Sequence, residues 1–500
     1  MPQPTVVLAI DQGTTSSRAL TFGLSDRAAA AELSLLKIAQ TELRQIYPRD
    51  GWVEQDAAEI LRDTRAAIST VANDARIAAV GITNQRETTV LWDRRTGTPI
   101  HNAIVWQDRR GAAACRRLIE QGHDALIRRM TGLLPDSYFS ATKIAWLLDH
   151  VDGARAAAAR GDLAFGTIDT FLLWHLTGGK VHATDATNAS RTMLFDIERQ
   201  CWDASLLELF RVPPRLLPEV RDSAADYGAL DSAGFGWSAP IRGIAGDQQA
   251  ATVGQACFAP GMIKSTFGTG AFVVMNVGAT RPDAAPGLLA TVAYRIAGKT
   301  TYAVEGGVFN AGTVVKWLRD QLGLIGSAAE TEALARVARP EHGAVHFVPA
   351  FTGLGAPYWD ADARGAILGL TRATTKADIV RAALESVAFQ IADLLQAFPQ
   401  PAGAAPVLRV DGGMAANDWL MQRVADLAPV PVERPRILET TALGAASLAC
   451  LGAGLVGSLE ELAAGWKLER RFEPLQPRAT RDADYAGWQR AVARVRSTPA

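Results

Sequence analysis

Residues 6–20 read VVLAIDQGTTSSRAL and residues 241–251 read IRGIAGDQQAA, two stretches of one format that lie far apart in the chain. In each, a short apolar run typical of a buried strand ends at a carboxylate, Asp11 in the first and Asp247 in the second. The small residues beside each carboxylate let backbone N–H groups approach an anion closely. Phosphoryl transfer requires donors around phosphates, a carboxylate for a metal ion and a carboxylate that accepts a proton, so the two stretches point to that chemistry.

The size and composition of the chain predict a globular protein with two domains. Five hundred residues exceed what one hydrophobic core usually supports, and we predict domains at residues 1–253 and 254–500. The 51 basic and 52 acidic residues nearly balance, so no basic excess indicates binding to nucleic acid. Four scattered cysteines form neither a metal-ligand spacing nor a disulfide framework, and the N-terminus lacks the features of a signal peptide. These observations favour a reducing, cytoplasmic location.

Residues 440–459, TTALGAASLACLGAGLVGSL, carry no charge over a length that would permit a membrane span. The segment consists mainly of Ala, Gly, Ser and Thr, so its transfer into a membrane would gain little free energy. No basic cluster flanks it. We therefore predict a buried, tightly packed helix and no membrane insertion.

Apolar runs and amphipathic stretches follow each other along the whole chain. Runs that end in polar or glycine-rich turns predict buried strands at residues 6–10, 78–82, 241–245, 345–348 and 407–410. Residues 376–398, KADIVRAALESVAFQIADLLQAF, place apolar side chains at spacings of three and four and predict a helix that Pro399 ends. Strands mixed with helices predict an α/β architecture. The turn STFGTG at 265–270 suggests that the second half weakly repeats the first.

Three loops have the composition of phosphate-binding turns: DQGTTSSR at 11–18, GTG at 268–270 and VDGGMAAND at 410–418. Each has an ordinary alternative, because Gly, Thr and Ser favour hairpins and strand-to-helix turns in any protein. GFGWSA at 234–239 matches the dinucleotide-binding pattern only formally, since Pro240 and a strand-like run follow it where a helix is required. No Walker A, HExxH, GxSxG or paired CxxC sequence is present.

Charged and aromatic residues form a further group of candidates. Arg86 and Glu87 follow a strand-like run in GITNQRETTVLWD, Trp106 lies in NAIVWQDRR, and Tyr138 lies in LLPDSYFSATK. An adjacent Arg–Glu pair is usually a surface ion pair, and Trp is usually part of a core. The functional alternative is that the charged pair hydrogen-bonds hydroxyl groups while an aromatic face packs on a carbon chain. Sequence spacing alone cannot bring these residues together.

Motifs spread over nearly the whole chain resemble the sugar and polyol kinase family, which shares the actin and Hsp70 ATPase fold. They are DQGTTSSR, GWVEQD, GITNQRET, NAIVWQ, TNASRTM, GIAGDQQAA, PAFTGLGAPYWD, ARGAILGLTR and VDGGMAAND. GITNQRET and GIAGDQQ resemble the branch of the family that phosphorylates glycerol more than the pentulose kinases. The resemblance implies an α/β fold of two ribonuclease H-like (actin/Hsp70 ATPase-type) domains that flank a catalytic cleft. Glycerol would bind mainly the first domain and ATP–Mg²⁺ mainly the second.

The resemblance also implies a role for each matching residue. The hydroxyls of glycerol would be held by Arg86, Glu87, Tyr138, Asp247 and Gln248, and its carbon chain would contact Trp106 and Phe272. The transferred phosphate would be lined by Thr14, Thr15, Ser16 and Arg18, and the metal supported by Asp11. The nucleotide would be held by Thr269, Gly312, Lys316, Gly413 and Asn417, where Lys316 replaces a glutamine common in the family. The implied activity is transfer of phosphate from ATP to glycerol, giving sn-glycerol 3-phosphate, with Asp247 as the general base.

The sequence leaves alternative functions open. The chain could phosphorylate another polyol or a ketopentose, or it could be an actin- or chaperone-like ATPase, although the hydroxyl-binding set and GDQQ count against the ATPase. Some bacterial members are inhibited by fructose 1,6-bisphosphate through a basic glycine loop; AGFGWSAP at 233–240 has no Lys or Arg, and we expect weak or no inhibition. PLQPRATRD at 474–482 lacks the glutamate expected for docking a sugar-transport regulatory protein. We also expect a homo-oligomer, either a dimer or a tetramer.

Overall fold

The computed structural model describes residues 5–25, 31–72, 76–283, 285–339, 344–399 and 406–497. Its strands are β1 Thr5–Gln12, β2 Ser16–Leu24, β3 Leu33–Glu42, β4 Glu54–Gln55, β5 Ile77–Asn84, β6 Val90–Asp93, β7 Ala103–Ile104, β8 Leu163–Gly166, β9 Ala183–Asp185, β10 Phe195–Asp196, β11 Cys201–Trp202, β12 Glu219–Arg221, β13 Ile241–Gly246, β14 Ile263–Phe267, β15 Ala271–Gly278, β16 Leu289–Ile296, β17 Lys299–Val308, β18 His346–Val348, β19 Ala366–Leu368, β20 Leu408–Asp411, β21 Val432–Pro435 and β22 Leu468–Phe472.

Its helices are α1 Ala57–Ala72, α2 Ala112–Glu120, α3 Asp124–Thr131, α4 Ser140–His150, α5 Ala154–Arg160, α6 Ile168–Leu176, α7 Ala186–Ala189, α8 Ala204–Leu209, α9 Ser232–Phe235, α10 Asp247–Gly254, α11 Gly312–Asp320, α12 Glu330–Val337, α13 Lys376–Ala397, α14 Asp418–Leu427, α15 Thr440–Gly452, α16 Leu459–Gly465 and α17 Arg478–Ala493. Single 3₁₀ turns occur at Pro214–Leu216 and Gly413–Ala416. All five buried strands predicted from apolar runs are present, at β1, β5, β13, β18 and β20.

The first half is built on a five-stranded sheet with the order β13-β5-β1-β2-β3. Strands β1, β5 and β13 are parallel, and the register places Thr83 between Asp11 on one side and Ala245 on the other. Their carboxyl ends therefore meet at one edge of the sheet, as is usual for parallel strands that hold a ligand site. The β1–β2 hairpin turns back at this same edge, with Gln12 opposite Ser17.

The second half is built on a seven-stranded sheet with the order β16-β17-β15-β14-β20-β21-β22. Its β14–β15 hairpin corresponds to β1–β2, and β14 lies parallel to β20 as β1 lies parallel to β5. Thr266 at the end of β14 is opposite Asp411 at the end of β20. The two halves thus share one strand arrangement, and this agrees with the weak repeat seen in the sequence.

Helices α10 and α15 pack against each other and lie between the two sheets, with α15 also covering β1, β5 and β13. The contact is close because both partners carry small residues: a Cβ atom added at Gly444 would come within 1.7 Å of the Ala250 carbonyl oxygen, and one at Gly81 within 2.0 Å of the Ala445 oxygen. The prediction that residues 440–459 contain a buried helix is confirmed by α15. None of the helices that the structure describes is long and apolar enough to cross a membrane.

The long helix predicted at 376–398 is confirmed by α13, which starts at a reciprocal capping box between Thr375 and Asp378 and ends before Pro399. Its apolar face lies in the main core of the second half. The segment GFGWSA is followed by β13 and not by the helix that dinucleotide binding requires, and its first two residues are the last two of the single helical turn α9. The C-terminal residue of that turn is followed by Gly236 in the left-handed conformation, which ends the helix after four residues.

Candidate active site

The charged pair that follows β5 lies in the interior of the protein. Arg86 and Glu87 have exposed fractions of 2% and 1%. Arg86 Nε lies 3.3 Å from Asp247 Oδ1, and Arg86 Nη1 donates to Glu305 Oε2 at 2.7 Å. Glu87 has a φ of 63°, a left-handed conformation that non-glycine residues seldom adopt. Charges are buried only where partners surround them, so this pair is not the surface ion pair that its sequence would ordinarily suggest.

Glu305 and Arg191 complete a buried ionic network around the pair. Arg191 Nε donates to Glu87 Oε1 at 2.6 Å, and its Nη2 lies 2.7 Å from Glu305 Oε1. Burial opposes ionisation of Glu305, but Arg191 and Arg86 outweigh it and hold the pKa of Glu305 below its ordinary value. At Glu87 burial dominates over the same two arginines and raises the pKa. Glu305 is therefore the firmly charged carboxylate of the network.

Three aromatic residues converge beside this network. The Trp106 ring meets Tyr138 edge to face at a centroid distance of 5.4 Å and Phe272 at 6.1 Å. Trp106 and Tyr138 come from the first half of the chain and Phe272 from β15 of the second half. Arg86 Nη2 donates to the Tyr138 hydroxyl at 3.4 Å, so the aromatic group borders the charged network directly. Together they provide an apolar surface with hydroxyl-binding groups at its edge.

Asp247 is the first residue of α10 and keeps 29% of its side chain exposed. The positive end of a helix dipole favours a carboxylate at this position, and Oδ1 accepts the backbone N–H of Gln248 at 2.7 Å. The side-chain oxygen of Gln248 accepts a hydrogen bond from the buried Lys264, whose ammonium also donates to Thr266 Oγ1 at 3.0 Å. Burial lowers the pKa of Lys264 to about 8 despite the opposing attraction of Asp411 and Asp247. Asp247 is thus a half-exposed carboxylate beside buried cations.

Asp11 forms an ion pair with Arg18 across the β1–β2 hairpin. The second terminal nitrogen of Arg18 donates to Glu439 Oε2 at 2.6 Å. Burial raises the pKa of the Asp11 carboxyl while Arg18 opposes this shift, and the charge of Asp247 also raises it. Asp11 lies at the end of β1 and Asp247 directly follows β13, so both carboxylates lie at the same edge of the sheet, close enough for the charge of Asp247 to act on Asp11.

The hairpin turn next to Asp11 is tied to the aromatic group. Thr14 Oγ1 accepts a hydrogen bond from Trp106 Nε1 at 2.9 Å, and the Thr14 carbonyl accepts one from Gln55 Nε2 at 2.6 Å. Thr15 is exposed at the tip of the turn, while Ser16 is buried at the start of β2. Of the predicted phosphate-lining residues, Thr14 therefore lies nearest the aromatic group and Thr15 is the most accessible.

The predicted nucleotide residues of the second half gather around the β14–β15 turn. The backbone N–H of Gly312, at the start of α11, donates to the Gly268 carbonyl at 3.0 Å, and a Cβ atom at Gly312 would come within 2.6 Å of that oxygen. Thr269 is exposed at the tip of the turn. Lys316 lies exposed one helical turn further along α11. Only glycine fits this approach of a helix N-terminus to the turn, and a helix N-terminus favours bound anions.

The loop after β20 reaches the same turn. Gly412 has a φ of 87°, and a Cβ atom there would lie 2.5 Å from the Phe267 carbonyl oxygen. Gly413 is exposed and has open space where a side chain would project. Asn417 caps α14 through its oxygen, and its Nδ2 donates to Thr331 Oγ1 at 3.3 Å. The glycines form a cradle open to a ligand, whereas the amide of Asn417 is already engaged by the protein.

Comparisons with known proteins show the family to which the chain belongs. Residues 6–254 match the N-terminal domain of the FGGY family of carbohydrate kinases, and residues 263–453 match its C-terminal domain. The chain belongs to the FGGY family of carbohydrate kinases. A glycerol kinase of Rhodospirillum centenum is 58% identical over 98% of both chains, and one of Methylobacterium nodulans is 57% identical over 97% of both. The solved glycerol kinase of Plasmodium falciparum with ADP superposes with a TM-score of 0.89 at 34% identity, covering 98% of both chains.

For this member of the FGGY family, the predicted α/β fold of two actin/Hsp70-type domains and the predicted kinase identity are confirmed. Several buried residues at the site were not predicted: Arg191, Gln249, Lys264, Glu305 and Asp411. The sequence does contain a signal for two of these residues, Lys264 and Glu305. Lys264 directly follows Ile263 in β14 and Glu305 follows Ala303 and Val304 in β17, and a charge beside apolar strand residues is rarely buried unless another part of the fold provides a partner.

Proposed function

We propose that this chain transfers the terminal phosphoryl group of ATP to a terminal hydroxyl of glycerol, giving sn-glycerol 3-phosphate. The observation that supports the proposal is the position of Asp247, which lies 3.3 Å from Arg86 in the charged network and whose charge also acts on Asp11. A three-carbon polyol presents two kinds of surface, a short carbon chain and hydroxyl groups. The site offers a matching set in Trp106 and Phe272 for the chain and Arg86 with Tyr138 for hydroxyls.

Asp247 is the group best suited to act as general base. It is half-exposed and so can reach a substrate, and Arg86 lies close enough to hold its carboxylate in position. A kinase needs a carboxylate that accepts the proton of the attacking hydroxyl as phosphoryl transfer proceeds. Arg86 Nε lies 3.3 Å from Asp247 Oδ1 but makes no hydrogen bond with any of the described residues. A glycerol hydroxyl would supply an acceptor beside Asp247, and an analogue without the hydroxyl would leave the buried donor unpaired at a cost of about 1–3 kcal/mol.

ATP would be held at the β14–β15 turn and the loop after β20, and Mg²⁺ would be supported by Asp11. The glycine cradle at Gly312 and Gly413 and the exposed tip at Thr269 leave room for backbone contacts with phosphate groups. Among the described residues no group of three or more His, Cys, Asp and Glu side chains could hold a metal alone. Mg²⁺ does not require one, because it is usually bound by one or two carboxylates together with substrate phosphates and water. Asp11 would support the ion, which would neutralise phosphate charge.

The experiment that tests the proposal is an assay of ADP release across a panel of polyols, ketopentoses and water alone. We expect glycerol to give the highest kcat/KM and ADP release without an acceptor to be slow. A higher kcat/KM for a ketopentose or another polyol would replace the substrate. Fast, acceptor-independent release would favour an ATPase of the actin or chaperone type instead.

Two wider expectations belong to this proposal. A cytoplasmic enzyme would meet ATP and a reducing environment, in keeping with four cysteines that are all free. A homo-oligomer remains a prediction, and the molecular mass in solution under assay conditions tests it.

A further inference from the structure

We infer that Glu305, on the second half of the chain, is a positioning residue for acceptor binding: it fixes the orientation of Arg86 and so makes the acceptor site depend on both halves. The inference deepens the proposed function and rests on it for the identity of the acceptor. Glu305 itself is not assigned a contact with substrate.

Glu305 holds the guanidinium group of Arg86 at two points. Its two oxygens lie 2.7 Å from Arg86 Nη1 and 3.4 Å from Arg86 Nη2, so the carboxylate engages both ends of the guanidinium fork. Arg191 Nη2 lies 2.7 Å from Glu305 Oε1. Such two-point contacts fix the plane of a guanidinium as well as its position. With both terminal nitrogens held in this way, the remaining Nε lies 3.3 Å from Asp247 Oδ1.

The contact between Glu305 and Arg86 joins the two halves of the chain. Arg86 follows β5 and Arg191 follows α7, both in the first half, whereas Glu305 lies on β17 in the second half. Strand β17 pairs with β15, and the register places Glu305 opposite Val274, two residues beyond Phe272. The residue that orients the hydroxyl-binding arginine and the ring that borders the acceptor site are therefore carried by neighbouring strands. A movement of the second half relative to the first would therefore displace both Glu305 and the Phe272 ring from the acceptor site.

Arg191 also packs against the aromatic residues that border the network. Its guanidinium carbon lies 5.6 Å from the centroid of the Tyr138 ring and 5.1 Å from that of Phe139, in addition to its contact with Glu87. The buried network therefore contains two positive and two negative charges and has no net charge: Arg86, Glu87, Arg191 and Glu305. Removal of one leaves the others uncompensated, and we expect the guanidinium of Arg86, which borders the acceptor space, to reorient first.

The test is the variant Glu305→Gln, which keeps the shape of the side chain and removes its charge. We expect the KM for glycerol to rise by about 10-fold or more while the KM for ATP stays within about twofold, because only the acceptor side is altered. 1,3-Propanediol lacks the central hydroxyl of glycerol. We also expect the ratio of kcat/KM for glycerol to kcat/KM for 1,3-propanediol to fall by about 10-fold, because a misaligned Arg86 no longer hydrogen-bonds that hydroxyl. A role in stability alone would not change this preference.

The matched control is Glu385→Gln. Glu385 is a buried glutamate of the second half that accepts hydrogen bonds from Arg381 and Arg423 on α13 and α14, and we expect no change in either KM. If Glu305→Gln does not fold, Arg191→Lys keeps the charge without the fork and should raise the glycerol KM in the same way. An unchanged glycerol KM, or equal rises for glycerol and ATP, would overturn the inference. If the wild type prefers another acceptor, the proposed function fails, and the same comparison with that acceptor still decides the role of Glu305.

Discussion

The backbone N–H of Gly246 donates a hydrogen bond of 2.9 Å to the side-chain hydroxyl of Thr187. Thr187 in turn donates to Asp185 Oδ1 at 2.8 Å, and Asp185 also accepts from Ser223 at 2.8 Å. All of these groups are buried. Because Gly246 directly precedes Asp247, this chain of hydrogen bonds fixes the end of β13 and with it the carboxylate that we propose as general base.

Replacement of Thr187 by Val should separate this positioning role from packing. Valine keeps the shape of threonine but leaves the Gly246 N–H without an acceptor, at a cost of about 1–3 kcal/mol in the free energy of unfolding. A small displacement of Asp247 should also lower kcat by about 10- to 100-fold. Thr187→Ser, which retains the hydroxyl, is the control and should keep most of the activity. Equal kcat values in the two variants would contradict the positioning role.

Asp247→Asn should abolish most turnover while ATP still binds. An amide cannot accept the hydroxyl proton, and positioned general bases typically contribute 10²- to 10⁴-fold, so kcat should fall by about that factor. The Kd for ATP, measured by calorimetry, should change by no more than about threefold because the nucleotide residues lie elsewhere. Asp226→Asn is the control, since Asp226 is an exposed carboxylate paired with Arg242. Near-normal turnover in the Asp247 variant would remove it from the role.

The fold and the kinase identity could be predicted from sequence because their signals are local. Strand β1 and the turn after it are contiguous in residues 5–15, and the same format recurs at β13 and Asp247. Parallel strands place their carboxyl ends at one edge, so the proximity of Asp11 and Asp247 follows from the architecture. The buried helix α15 was predictable for a similar reason, because its composition of small residues excludes both a surface helix and a membrane span.

The remainder of the site is formed by contacts between residues that are distant in sequence. Arg86 and Glu305 are separated by 219 positions, and no spacing rule connects them. Sequence reasoning also assigns an adjacent Arg–Glu pair to the surface by default, and only the ionic network reveals why Arg86 and Glu87 are interior. Lys264 shows the same limit, since its partner Gln248 lies on a helix of the other half.

Lys264 predicts a specific dependence of stability on pH. Its pKa is lowered by burial to about 8 in the folded protein, against 10.5 as the ordinary value. Below pH 8 both states are protonated, and the folded state carries the cost of a buried charge. Between about pH 8 and 10.5 the unfolded chain binds more protons, so the contribution of this group to the free energy of unfolding rises with pH.

The variant Lys264→Met, which is neutral and of similar length, should lack this contribution. We expect the difference in Tm between the variant and the wild type to shift in favour of the wild type as the pH is raised from 8 to 10.5. Lys299→Met is the control, because Lys299 is exposed at the start of β17. A pH-independent difference in Tm for the Lys264 variant would show that its pKa is not lowered by burial.

The packing of α10 against α15 predicts a large effect of one methyl group. Gly444→Ala would improve helix propensity by about 1 kcal/mol, yet its Cβ atom would come within 1.7 Å of the Ala250 carbonyl oxygen. Backbone cannot give way as a flexible side chain does, so we expect a net loss of about 3 kcal/mol in the free energy of unfolding. Gly234→Ala is the matched control, since Gly234 also lies in a helix but has nothing within 4 Å of an added Cβ. It should be neutral or slightly stabilising in denaturant titrations. If the two variants were equally stable, α10 and α15 would not be in the close contact that joins the two halves around the site.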